Sequence, residues 1–188
     1  MSGSKSLAFV SKALLVLSII VHASVAATSG NCPCSPNPTT VIELYIQTVA
    51  YTGINTNYTI YAVAGIQGTN FGNGQFGTVS VFDDPVTIAA SPTSTSIGRS
   101  RGIYAVADLN GGTLFITSTF QFTGGQYANS SLNIKGIGSA LLNVPMHLSI
   151  DGGTNFFNDA KGNVTLVAIS NSGPNSVARA TINTYKAI

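Results

Sequence analysis

From residue 41 onward, apolar and polar residues alternate with a period of two. Val41 to Ala50 sets Ile42, Leu44, Ile46, Thr48 and Ala50 on one face, against Val41, Glu43, Tyr45, Gln47 and Val49 on the other. Thr113 to Thr123 repeats the arrangement, with Leu114, Ile116, Ser118, Phe120 and Phe122 on its apolar face. Successive side chains of a strand point to opposite faces, so this pattern predicts strands with one buried side. Shorter runs of the same kind cover Tyr58 to Ala64, Thr78 to Phe82, Gly102 to Ala107, Ser131 to Lys135, Met146 to Ile150, Val164 to Ile169 and Val177 to Tyr185. Gly, Asn and Pro clusters separate them, and Asn110-Gly111-Gly112 between two alternating runs predicts a hairpin. No stretch after the N-terminus sustains a helical period. Evenly spaced short strands predict an all-β antiparallel sandwich or barrel, and periodicity alone does not choose between them.

The N-terminus follows a different rule. Lys5 and Lys12 precede or open an apolar run, Ala13 to Val21, and Ser24-Val25-Ala26 supplies small residues for cleavage. This reads as a secretory signal peptide over residues 1–26. The apolar run is too short for a membrane-spanning helix, which needs about 20 residues. Residues 27–40 read as a flexible N-terminal segment, and 41–188 as one β domain, which gives a secreted, extracellular product. Removing the leader also changes the charge. Six bases then face six acids, so the basic character of the whole chain is no argument for nucleic acid or an anionic membrane as partner.

Secretion makes the sequons at Asn57, Asn129 and Asn163 candidate N-glycan sites, with Asn163 the weakest because it opens a predicted strand. The two cysteines, Cys32 and Cys34, are separated only by Pro33, and a disulfide across one residue is strained. A partly oxidised tail is the preferred reading, and an inter-chain bridge the alternative. His147 is the one histidine after the leader and Glu43 the one glutamate. A Ser-His-Asp or Cys-His site would have to use His147, and no His/Cys cluster suits a metal. The Gly72-x-Gly74 loop leads into strand-like sequence, so it is no dinucleotide fingerprint. No cofactor motif is visible, and with it no means of oxidising a substrate.

Two motifs remain. Residues 76–104 read FGTVSVFDDPVTIAASPTSTSIGRSRGIY, and Gly152-Gly153-Thr154 is followed by Phe157, Ala160 and Gly162. They resemble the signatures of the plant dirigent family, FG-x-x-x-V-x-DDP-x-T with GR-x-x-G-x-Y, and GGTG-x-F-x-x-A-x-G. The resemblance covers roughly Val41 to Tyr185. It implies an eight-stranded antiparallel β-barrel of the allene-oxide-cyclase type, assembled as a trimer or dimer. It also implies a function in which the barrel does not oxidise. A separate laccase or peroxidase makes phenoxy radicals from a monolignol such as coniferyl alcohol, and the barrel fixes the face on which they couple, in lignan- or lignin-type biosynthesis. Some relatives instead guide ring closure of a quinone methide by acid–base help, and a wall protein binding carbohydrate is a third reading.

The resemblance places family pocket positions one by one. Its tyrosine falls on Tyr104, its arginine on Arg99, and its paired acids on Asp83 and Asp84. Its first-strand aspartate falls on Thr48, its later aspartate near Ser139, and the arginine after it on Met146. These three replacements remove charged groups. Of the paired acids, Asp83 is the preferred pocket candidate, and Asp84 reads as a strand terminator before Pro85. Tyr104, Thr48, Asp83, Arg99, Ser139 and Phe120 are the pocket candidates, with no metal and no cofactor.

Overall fold

Nine strands run through the described residues: β1 (Thr40–Val49), β2 (Ile60–Ala64), β3 (Val79–Thr87), β4 (Ser96–Val106), β5 (Leu114–Phe122), β6 (Ser131–Gly138), β7 (Pro145–Thr154), β8 (Lys161–Ser172) and β9 (Asn175–Tyr185). The computed structural model describes residues 40–65, 74–139 and 141–185. The leader and the Cys32 and Cys34 pair lie outside them. Each strand pairs antiparallel with its neighbour in the order β1-β9-β8-β7-β6-β5-β4-β3-β2, and β1 also pairs with β3. That last pairing closes an eight-stranded barrel, with β2 as a short extra strand on the edge of β3. Closure leaves the eight ring strands without a free edge.

The alternation decides what fills the barrel. Ile42, Leu44 and Ile46 of β1 and Leu114, Ile116, Phe120 and Phe122 of β5 are all buried, as the faces of the sequence require. Leu132, Ile134, Leu148, Ile150, Val164, Leu166, Ala180 and Ile182 continue the same inner surface around the ring. One end is plugged by aromatics. The 3-10 turns Gly125–Tyr127 and Asn155–Phe157 deliver Tyr127 and Phe157 against Phe122, with ring centroids 5.4–5.7 Å apart. Asn155 has φ +52°, a left-handed conformation, at the position where the GGTG motif carries its last glycine. Asparagine is among the residues that tolerate that conformation, which explains the exchange.

Two boundaries differ most from the sequence reading. Asp83-Asp84-Pro85 does not end a strand; β3 runs on to Thr87, and β4 begins at Ser96 rather than Gly102. The ladder with β4 passes straight through, pairing Asp83 with Arg101, Asp84 with Ser100 and Pro85 with Arg99. Proline is tolerated because β3 changes partner there. It pairs with β2 through Phe82 and with β1 from Val86, so the missing N–H of Pro85 falls at the changeover. Gly102 follows from the same ladder. A Cβ on it would lie 2.1 Å from the Thr117 carbonyl oxygen and 2.8 Å from the Phe82 ring. Only glycine lets β4 and β5 close over that ring.

Candidate functional site

The inner row of β3 is Ser80, Phe82, Asp84 and Val86, and all four are buried. Asp84 has no exposed surface at all. It sits at the point where β1 leaves β3 and β2 takes over. Thr48 Oγ1 donates to Asp84 Oδ2 at 2.8 Å, and Thr59 Oγ1 donates to Oδ1. The Val49 amide in turn donates to Thr59 Oγ1 at 2.9 Å, which fixes the direction of that hydroxyl. Burial pushes the Asp84 carboxyl up to about 7, and the two threonine hydrogen bonds and the Arg99 charge only partly offset it. The result is a buried carboxyl held toward its protonated form, ringed by the hydroxyls of Thr48 and Thr59 and paired across the ladder with Ser100.

Tyr104 lies on the inner row of β4 and stacks on Phe82, ring centroids 4.5 Å apart and 27° between planes. Burial, with the nearby Asp84 charge, raises its hydroxyl well above the ordinary tyrosine value, so it stays a neutral phenol. Ser100 and Ser118, one row away, hydrogen-bond each other at 2.9 Å and are both buried. Thr48 is the half-buried end of this network. Thr48 also lines a cleft of about 560 Å³ with Ala90, Pro92, Ile169, Ser170 and Ser176, so that cleft stands beside a residue that binds the enclosed carboxyl.

The other sequence candidates are distributed differently. Asp83 and Arg99 lie on the outer face of the barrel. Desolvation alone would raise the Asp83 carboxyl, but hydrogen bonds and charge from Arg99 and Arg101 outweigh it and hold the group low. Arg101 Nε is 3.0 Å from Asp83 Oδ1 and its guanidinium also reaches Gln121. These arginines fix the β3–β4–β5 surface. Phe120 is 1% exposed and belongs to the core. Met146, where the family pattern places an arginine, is a buried core residue as well. Ser139 follows β6, and its Oγ accepts the Leu141 amide at 3.2 Å, within its own turn. His147 is exposed and hydrogen-bonds Thr165 across the outer face, 3.2 Å away. No group of three or more His, Cys, Asp or Glu side chains suited to a metal occurs among the described residues. Of the sequence candidates, Thr48 and Tyr104 are thus brought to the inner surface around Asp84.

Comparison with known proteins places the fold in a family. The family model described as "Dirigent-like protein" matches residues 39–185. This chain belongs to the dirigent family. Dirigent protein 16 of Arabidopsis thaliana is 35% identical over 131 residues, which is 68% of this chain and 50% of that protein. Pterocarpan synthase 1 of Glycine max is 31% identical over 87 residues, 46% of this chain and 47% of that one. The chain spans about half the length of the curated relatives it matches. Among solved structures, the pterocarpan synthase dirigent protein GePTS1 superposes with a TM-score of 0.70 at 24% identity, covering 79% of this chain and 86% of its own. PsPTS1, of the same description, gives the same score with 96% of its chain covered. At that identity the likeness speaks for the barrel.

Within the dirigent barrel, the residue missed by sequence reasoning is Asp84. Continuing the period of two through Ser80, Phe82, Asp84 and Val86 would have placed it inside. The barrel therefore holds a buried acid although Thr48 is uncharged. The carboxyl stands one strand away, and Thr48 points its hydroxyl at it. Thr48→Val keeps the shape and removes that donor, which favours the ionised form. It is expected to move the Asp84 titration midpoint above the wild-type value of about 7, read from the carboxyl carbon shift in NMR. A midpoint that stays put or falls would break the link between the two side chains.

Proposed function

We propose that this dirigent protein receives a phenolic intermediate from a separate oxidase, a laccase or peroxidase, and fixes the stereochemistry of its next bond. The leading form of the proposal is bimolecular coupling of phenoxy radicals such as those of coniferyl alcohol. The observation that carries it is the inner wall at Phe82 and Tyr104, a stacked aromatic pair with a neutral phenol, set in a closed apolar barrel beside a protonatable carboxyl. An aromatic radical lies flat on such a wall, and a held pose replaces random encounter. The test supplies coniferyl alcohol and a one-electron oxidant with and without the protein and separates the dimers by chiral chromatography. An enantiomeric excess supports coupling; racemic dimers in both arms overturn it.

Within that reaction, Tyr104→Phe is expected to weaken the bias while leaving the fold intact. It removes one orienting hydrogen bond, worth about 0.5–1.5 kcal/mol, or roughly a 2- to 13-fold change in the ratio of competing poses. The enantiomer ratio against wild type measures it, and an unchanged ratio removes Tyr104 from the pocket.

Asp84 favours a second reading, ring closure of a quinone methide. The protonated carboxyl gives its proton, by way of the Thr48 hydroxyl, to the quinone-methide carbonyl oxygen. A hydroxyl of the same molecule attacks the exocyclic methide carbon, and its proton returns along the same path to the Asp84 carboxylate. The ring regains aromaticity, and no oxidant is consumed. Feeding a preformed quinone methide without oxidant separates this reading from coupling. The protein is further proposed to act outside the cell, and to self-associate as a trimer or dimer through the exposed row Ile103, Phe115 and Ile137 on β4–β6. Analytical ultracentrifugation decides the latter, and a monomer would remove it.

A further inference from the structure

The loop between β1 and β2 is held as a small rigid body. Asn55 Oδ1 accepts the Thr52 amide at 2.8 Å and the Thr52 hydroxyl at 3.0 Å, and Asn55 Nδ2 donates to the Ala50 carbonyl at 2.9 Å. Two tyrosines of the loop, Tyr51 and Tyr58, and Tyr61 at the start of β2 stand in mutual contact. Tyr51 meets Tyr58 at 4.9 Å and Tyr61 at 5.1 Å, both edge-on, and Tyr58 meets Tyr61 at 5.8 Å. The Tyr51 hydroxyl is tied back to the Gly53 carbonyl at 3.1 Å, so its ring is fixed. Tyr58 and Tyr61 remain 43% and 42% exposed. Together with Gly53, Asn55 and Thr56 they line an open cleft of about 470 Å³. No charged side chain lines it. Asn57, the acceptor of the sequon Asn57-Tyr58-Thr59, is exposed and lies in the chain between two residues that line the cleft, Thr56 and Tyr58.

We propose that this cleft seats the first sugars of an N-glycan carried by Asn57. The apolar C–H face of a pyranose ring complements the electron-rich face of a tyrosine, and the hydroxyl and amide groups around the rim suit its polar edge. The inference rests on passage of the chain through the secretory route and not on the coupling reaction. It has a structural consequence. The sequon threonine is Thr59, the residue that donates to Asp84, so a glycan that stiffens residues 50–59 also holds the interior carboxyl in place. The sequon at Asn163 offers no such seat. Its side chain accepts from Asn183 Nδ2 at 3.1 Å, half-buried on β8.

The test is a double-mutant cycle on full-length protein secreted from a glycosylating host. Site-resolved mass spectrometry is expected to find Asn57 occupied and Asn163 bare. Asn57→Gln is expected to lower Tm by about 2–4 °C, the shift a modest interaction gives in a domain of this size. Tyr51→Ala combined with Tyr61→Ala keeps the sequon, and in that background Asn57→Gln should change Tm no further. Trimming the folded wild-type glycan to its single Asn-linked sugar should keep most of the gain, which covers the case in which Asn57→Gln fails to fold. Additive Tm losses, or an unoccupied Asn57 in secreted protein, overturn the proposal. Absence of any secreted chain overturns it as well, since the glycan is acquired on that route, whereas a racemic coupling assay leaves all of these readings unaffected.

Discussion

Asp84→Asn is expected to make the barrel's stability flat across pH 4–7, where the wild-type protein loses stability steadily. The folded chain keeps the Asp84 proton up to about 7, because burial opposes the charge. The unfolded chain releases it near 3.9. Between those values the folded state binds more protons, so stability is full below about pH 4, falls as pH rises, and levels off above about 7. The separation corresponds to on the order of 4 kcal/mol. Asp83 and Asp151 do not blur the window. Arg99 and Arg101 hold the first low against its desolvation and Lys135 holds the second low, so their contributions are lost only in acid, below the usual carboxylate range. Urea midpoints at pH 5 and pH 8 read the effect directly. Wild type should differ between the two and Asp84→Asn should not. The same variant is expected to abolish any ring closure of a quinone methide, since an amide supplies no acidic proton. Equal wild-type midpoints at both pH values would show that Asp84 ionises freely.

Phe120→Ala is expected to cost about 3–5 kcal/mol, the range for deleting a buried phenylalanine. Phe120 pairs with Ser100 and Leu132 across β4, β5 and β6, and its side chain has no room to be replaced by solvent. In a domain of this size that lowers Tm by roughly 6–20 °C. The result distinguishes a core residue from a pocket residue. A pocket phenylalanine would leave Tm nearly unchanged and alter only the product ratio. Differential scanning calorimetry decides it.

The strands were legible because burial of one face imposes a period of two on the side chains themselves. Leu114, Ile116, Phe120 and Phe122 declared their face without any tertiary knowledge. So did the Asn110-Gly111-Gly112 turn, where Gly111 has φ +78° and Asp108 binds the amides of Asn110 and Gly112. Closure was not legible, because it depends on two rungs between β1 and β3 that leave no mark on either strand. The two acids of the motif face opposite sides: Asp84, read as a strand terminator, is the one that points inward. Asp-Asp-Pro is good turn chemistry, and local propensity argued for a strand end. The ladder with β4 overrode it, turning Asp83 outward to the arginines and Asp84 inward to the threonines. Gln47 failed the alternation for a similar reason. It sits on the outer face, yet is buried, because its amide ties down the carbonyls of Ala89 and Ala90 at 3.4 and 3.2 Å.

The two-rung closure has a mechanical side. Eight strands make a hoop, and a hoop under load parts at its weakest joint. The backbone joins β1 to β3 only at Tyr45–Thr87 and Ile46–Val86. Side chains add to that joint, Gln47 to Thr87 at 3.0 Å and Thr48 to Asp84, and Thr59, in the loop just before β2, binds the same carboxyl. The carboxyl of Asp84 is therefore also the rivet of the hoop. Any substitution that retunes its acidity also changes how readily the cylinder springs open, so chemistry and toughness in this barrel are set by the same two oxygen atoms.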